Sequence, residues 1–376
     1  MAVALLAGAG WWLVRAPAIA HVAATPLPEI DLDPPGVRAQ REAALAIATM
    51  PEDPWTFAES LAASAPDKVA DREQCGVEEG PQFSNPPEDG EIPVQTRAST
   101  ARYLGAQARL DAGLRTSADP FDRAVADFVN IGDLRSTAGR DEAVVQQAAA
   151  SEDPRLYALG YGLCHSMRAA PPSCARVSAV RWAQVDVGNG IPWLHLLSQA
   201  QAAGDATAVR DAMAHLAAAD RFDLYINAAA GAVAEHVVKE DPDLGADGDL
   251  VSKAFGEQLG LSFPSFQPLI QICRDHAGGD EGLEKQCRAT SDSMFAHSDN
   301  LMSESISGAL LFQLTGDASR RDLVRAEHAV FQAHWSPATG FSPCQEIRES
   351  IRFHVRSAQI GEVEALRERA RKFVTP

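Results

Sequence analysis

The sequence predicts an all-α fold, and three observations carry that prediction. Alanine and leucine dominate an apolar share of 46%, while aromatic residues make up only 6%. Ala and Leu favour helix, whereas strands draw on β-branched and aromatic residues. From about residue 98 onward, apolar residues recur at i, i+3, i+4 and i+7, which is one face of a helix. Asp-Pro and Gly-Asp steps interrupt these stripes where one helix should stop and the next begin. The expected architecture is a set of irregular helical hairpins in a solenoid-like array, stapled by disulfides.

The chain opens on MAVALLAGAGWWLVRAPAIA, an apolar run over residues 1–14 followed by Ala18-Ile19-Ala20. The length suits the apolar region of a signal peptide and is short for a membrane span. No basic residue precedes the run. Residues 1–24 are therefore expected to be a signal peptide or an N-terminal membrane anchor, with Trp11, Trp12 and Arg15 at the membrane interface in the second case. A buried N-terminal helix is the competing reading. Residues 25–97 hold eleven of the 23 prolines and read as a tether, with short helices expected at 37–49 and 55–65.

Helical hairpins are expected over 98–240, and a further helical region packed on the same array over 241–376. Asp119-Pro120 and Asp153-Pro154 each offer a capping carboxylate and a proline for the first turn. Leu156, Leu159, Gly160 and Leu163 then form one stripe. In DVGNGIPWLHLLSQAQAAGD, residues 186–205, Trp193, Leu196, Leu197 and Ala200 form another. If that stripe is buried, Trp193→Ala should cost about 3–5 kcal/mol. Gly204 stands where a helix-terminating glycine takes positive φ, and Asp205 or Thr207 caps the following helix. The cluster DPDLGADG at 241–248 reads as a turn and a boundary.

Trp193-x2-Leu196, Gly204-Asp205 and the turn Asp186-Val187-Gly188-Asn189 together resemble a tetratricopeptide repeat. Leu197 and Ala200 depart from the glycine and tyrosine of that family's pattern. Leu156, Leu159 and Gly160 lie 37 residues upstream of Trp193, Leu196 and Leu197, against a family period of about 34. Gly316-Asp317 and Gly361-Glu362 repeat the turn without a fixed period. The resemblance implies helix pairs presenting a groove to a peptide or protein, and Tyr157, Tyr161, His195 and Gln199 are the candidate groove residues.

An even number of cysteines in an exported chain suggests disulfides. Cys164 with Cys174 and Cys273 with Cys287 each bracket a turn between helical runs, and Cys75 with Cys344 is the remaining pair. Six reduced, buried thiols are the alternative. Cys273, His276, Cys287 and His297 also have the residue types of a tetrahedral zinc site, but in an oxidising compartment the thiols pair first.

The chain carries 33 basic and 51 acidic residues, a net charge of −18. Such a field repels phosphate, which argues against nucleic acid and anionic membrane surfaces as partners; the N-terminal segment is the only expected membrane contact. Motifs for phosphate loops, nucleophile elbows, zinc proteases and dinucleotide binding are absent. Around His297 lie Asp292, Asp299, Glu304, Ser291, Ser293 and Ser298, read as a helix cap at Ser298 or Asp299 in preference to a carboxylate site. The basic run at 367–372 is read as complementing a helix dipole. The expected function is therefore an exported, non-enzymatic scaffold or interaction protein of a bacterial cell envelope, periplasmic or secreted, with a protein or peptide partner and no cofactor or metal. The alternative is an all-α, hydrolase-like envelope enzyme with its site around residues 273–304.

Overall fold

A computed structural model describes residues 94–129, 137–166, 170–239, 244–261, 263–275, 279–335 and 343–374. The expected leader at 1–24, the short helices at 37–49 and 55–65, Cys75 and His276 lie outside the described residues. Among the described residues the chain is all-helical, with fifteen α-helices, one short 3-10 turn and no strand beyond two isolated bridges.

The first helices follow one another through short breaks. These are α1 (Val94–Thr116), α2 (Pro120–Phe128), α3 (Thr137–Ala149) and α4 (Pro154–His165). Helix α1 begins inside the stretch read as tether. Asp119 and Asp153 cap α2 and α4 by accepting the N–H of Phe121 and Arg155, each followed by the expected first-turn proline. Arg155 lies 3.0 Å from Asp119 and 2.7 Å from Asp153, so one guanidinium ties the two caps together. Leu156, Leu159, Gly160 and Leu163 are all buried, as their spacing predicts.

A 3-10 turn, η1 (Pro172–Arg176), leads to α5 (Ala179–Val185), α6 (Ile191–Ala203) and α7 (Ala206–Ala218). Between α6 and α7, Gly204 takes φ 68°, which an L side chain rarely adopts. Asp205 then accepts the N–H groups of Thr207 and Ala208. The hairpin is as the sequence predicts, but the buried arc is not. Ile191, Pro192, Leu194, Leu197 and Ala200 are buried on α6, while Trp193 and Leu196 are half-buried. Helix α6 packs on α5 and on α10 (Gln267–Asp275) as well as on α7, which widens and rotates its covered face. Trp193 stacks on His215 of α7 with ring centroids 3.6 Å apart. Trp193→Ala is accordingly expected to cost about 1–2 kcal/mol, from partial burial and one stacked pair, and not the larger loss of a core aromatic. A urea melt of the variant measures the difference.

Helix α8 (Ala228–Lys239) lies at the centre. It packs on α1, α2, α9 (Leu244–Leu259) and, far along the chain, α14 (Pro343–Ile360). Its sequence AAAGAVAEHVVK explains the closeness. A Cβ on Gly231 would come within 2.2 Å of the Ala358 Cβ, so only glycine lets these two helices meet here. The α8–α14 pair links distant segments, whereas a strict solenoid confines contacts to neighbours. Helix α9 begins at Leu244, so part of the cluster read as a turn is helical, with Asp247 buried. The remaining elements are α11 (Glu281–His297), α12 (Leu301–Thr315), α13 (Ser319–Trp335) and α15 (Glu362–Val374). One hydrophobic cluster runs from Ala106 on α1 to Ile351 on α14.

The Sγ atoms of Cys164 and Cys174 are 2.08 Å apart and those of Cys273 and Cys287 are 2.03 Å apart, both at disulfide distance. The second pair joins neighbouring helices, α10 and α11. The first joins the end of α4 to η1, not to a second long helix. Among the described residues no helix is long and apolar enough to cross a membrane.

Candidate functional site

The connection from α7 to α8, residues 219–227, runs between two turns and holds them together. Its backbone bridges Asn189 in the α5–α6 turn through Arg221, and Ser298 in the α11–α12 turn through Phe222. Gly190 N–H donates to the Arg221 carbonyl at 2.9 Å, and Phe222 N–H to the His297 carbonyl at 3.0 Å. Phe222 itself is fully buried.

Side chains complete this hub. The buried Asp186 carboxylate accepts from Trp182 Nε1 (3.1 Å), Asn189 Nδ2 (2.7 Å), the Tyr225 hydroxyl (3.2 Å) and Arg221 Nη2 (2.5 Å). Asn189 Oδ1 accepts the N–H of Ile191, at the start of α6, and the N–H of Asp223. Asp299 accepts the N–H of Leu224 on one oxygen and of Tyr225 on the other, both at 3.1 Å. Its backbone carbonyl accepts the N–H of Glu362, whose carboxylate in turn accepts the N–H of Leu301 at 3.1 Å. Asp299 is thus not the cap of α12. Asn300 fills that role by accepting the Ser303 N–H at 2.9 Å, and Ser298 donates back to the Met294 carbonyl. Ser-Asp-Asn offers three residues that can cap, and the approach of segment 219–227 decides which one does.

A pocket of about 30 Å³ opens beside the hub, lined by Tyr161, Trp182, His195, Leu224, Ile226 and Gln258 among others. The rings pack directly on one another: Tyr161 lies 4.7 Å from His195 and 5.1 Å from Trp182, centroid to centroid. Burial, with His165 nearby, holds the His195 imidazole down to about 4, so it is neutral at pH 7. Burial pushes the Tyr161 phenol up to about 12. A volume of this size holds water molecules and no larger substrate.

The candidate groove residues separate. Tyr157 is fully buried, with its hydroxyl 3.2 Å from the Ser178 N–H that donates to it. Tyr161 is buried too, and meets the half-buried His195 in the pocket wall. Gln199, one turn beyond His195 on α6, is exposed. His195 does not point to solvent, because the hairpin of α4 and α5 packs over its side of α6.

The region 273–304 contributes a second polar group. Glu304 on α12 is 1% exposed; one oxygen accepts from Arg367 Nη2 at 2.6 Å, and the other is buried without a hydrogen-bond partner. Arg367 also lies 2.8 Å from Glu327. Burial first, and then the Glu327 charge, push the Glu304 carboxyl up to about 7 against the pull of Arg367. The basic run at 367–372 therefore reaches inward at Arg367, where the sequence suggested only a helix-end charge. Cys273 and Cys287 lie at disulfide distance from each other, and among the described residues no group of His, Cys, Asp and Glu is placed to hold a metal ion.

Burial raises several carboxyls of this protein: Asp223 up to about 7, Asp299 up to about 6 and Glu304 up to about 7, with Glu362 also raised. A folded-state value above the unfolded one stabilises the fold below the unfolded value and loses that contribution as pH rises through the folded value. His195 and His354, both held down to about 4 by burial, oppose this below about pH 6.5, so the melting temperature is expected to fall as pH rises from about 6.5 to about 8. A flat thermal-melt profile across that range would show that the carboxyls are solvated. No family model, curated protein or solved structure matches the chain.

Proposed function

We propose that this protein is an exported, non-enzymatic helical scaffold or interaction protein of a bacterial cell envelope. The observation that carries the reading is how the polar side chains are used. Asp186, Asn189 and Asp299 spend their hydrogen bonds on backbone N–H groups, Trp182, Tyr225 and Arg221, tying loops from three parts of the chain into one hub. Groups committed in this way position helices and leave little for substrate chemistry. Two pockets of about 10 and 30 Å³ among the described residues are far below the few hundred Å³ typical of a small-molecule site.

The two cysteine pairs at disulfide distance support covalent staples and an oxidising compartment, and the apolar run at 1–14 supports export. The α6–α7 hairpin, with Gly204-Asp205 at its turn, supports the tetratricopeptide likeness over one unit. Exposed Gln199 marks the face of α6 where a partner would meet it.

The test joins three readouts on the native protein. A reporter fusion active only outside the cytoplasm should be active when carried by residues 1–93. Non-reducing mass mapping should find the Cys164–Cys174 and Cys273–Cys287 peptides linked. A photocrosslinker at position 199 should yield one discrete adduct in the envelope, and a crosslinker at position 210, on α7, should not. An inactive reporter with unlinked peptides overturns export, and identical crosslinking at both positions overturns the scaffold face.

The alternative, a hydrolase-like envelope enzyme, draws on Glu304, a buried carboxyl with one unpartnered oxygen. Neither of the two pockets described above is lined by it. Hydrolytic activity that Glu304→Gln abolishes, with the melting temperature kept, would favour the enzyme.

A further inference from the structure

Segment 219–227 has two jobs at once. Its backbone is held by the turns on either side, and its side chains Leu224 and Ile226 form one wall of the pocket opposite Trp182 and His195. Tyr225 within it takes φ 55°, the one positive φ outside glycine among the described residues. A bulky residue in that conformation persists only while its surroundings hold it. The holding contacts are known: the Tyr225 N–H donates to Asp299, its hydroxyl donates to Asp186, and its carbonyl accepts from Gln258 Nε2.

The charges around this segment do not balance. Asp220 and Asp223 come from the segment itself, Asp186 from the α5–α6 turn, Asp299 from the α11–α12 turn and Glu362 from the start of α15. The nearby His297 ring is turned toward Ser293. Arg221 is the cation that reaches these carboxylates, and it is divided among three of them. It lies 2.5 Å from Asp186, 3.4 Å from Asp223 and 3.7 Å from Asp220. Asp299 accepts three N–H donors, from Leu224, Tyr225 and the Asn300 side chain, all of which favour its anion. Asp223 has no such donors, only the divided Arg221. When the crowded cluster keeps a proton, it therefore falls to Asp223.

We propose that segment 219–227 is a proton-held latch over the Tyr161–Trp182–His195 pocket: with Asp223 protonated the segment stays closed, and ionisation of Asp223 beside Asp299 releases it and opens the wall formed by Leu224 and Ile226. The proton leaves to solvent, and no other group changes its bonding. Burial and the adjacent Asp299 place this event near neutrality, since they push Asp223 up to about 7. The latch is independent of the scaffold reading, because it rests on the hub alone.

Amide hydrogen exchange of the full chain, read by mass spectrometry at about pH 5.5 and about pH 8.5 and corrected for the intrinsic rate, tests it directly. Peptides covering 219–227 should open at least about tenfold more at the higher pH than peptides of α6 do. Asp223→Asn should remove that difference, and Asp223→Ala serves the same comparison if the first variant fails to fold. Asp220→Asn, on a carboxylate that is 76% exposed, should leave the difference in place. Equal opening of the segment and α6 overturns the latch. A response that survives in both Asp223 variants does so too, as does one lost in Asp220→Asn, which would assign the effect to surface charge.

Discussion

Asp186→Ala is expected to destabilise the fold by about 2–4 kcal/mol, because it strips a buried acceptor from the Trp182 and Tyr225 donors while the 36% exposed Arg221 can turn to water. The carboxylate is fully buried and is the common acceptor for Trp182, Asn189, Tyr225 and Arg221. Without it the indole and the phenol lose their partner in a dry site, and the Arg221 guanidinium keeps only the distant Asp220 and Asp223. Urea unfolding of Asp186→Ala, Arg221→Ala and the double variant measures the coupling. A coupling of at least about 1 kcal/mol is expected for groups sharing one network. Additive losses would show that Asp186 and Arg221 act separately, and would dissolve the hub into independent turns.

Phe222→Ala should cost a similar amount, about 3–5 kcal/mol, as for a core phenylalanine truncated to alanine. Phe222 is fully buried between the two bridged turns, and its ring lies against Gly190 so closely that a Cβ there would come within 2.2 Å of it. The same contact predicts the reverse change. Gly190→Ala overpacks the site by about 1–3 kcal/mol in the native chain. In the Phe222→Ala background the added methyl meets a cavity instead, and its cost should shrink or change sign. Thermal melts of the four proteins decide this. Equal cost in both backgrounds would mean that the ring and the turn do not touch.

Both expectations rest on residues that no sequence pattern singled out. Asp186 and Asn189 are legible as an inter-unit turn, but not as the buried hydrogen-bonding pair at the centre of a hub. Phe222 stands outside any helical stripe, in the stretch Arg221-Phe222-Asp223-Leu224 between α7 and α8. A phenylalanine flanked by charged residues between two helices is the one local hint that this connection is buried. Glu304 and Arg367 lie 63 positions apart, and periodicity says nothing of contacts at that range. Tyr157 and Tyr161 are expected as groove residues because the tetratricopeptide likeness implies a groove lined from the first helix of each pair. The structure buries them, since α4 is covered on more than one side by α2, α3 and α5.

What the sequence by itself determined is local. Its alanine and leucine content selects helix. Asp119-Pro120, Asp153-Pro154 and Gly204-Asp205 set where helices start and stop, because capping and positive φ depend on a few adjacent residues. That Cys164 comes within disulfide distance of Cys174, and Cys273 of Cys287, is legible for the same reason of short separation. Tertiary structure alone decided which arc of α6 is buried, which of Ser298, Asp299 and Asn300 caps α12, and that α8 packs on α14. Each of these depends on surfaces brought together from distant segments. A helix's periodicity defines an apolar face, but the number of neighbours decides how wide that face becomes. A polar residue's type defines what it can bond, but only the chain that arrives beside it decides what it does bond.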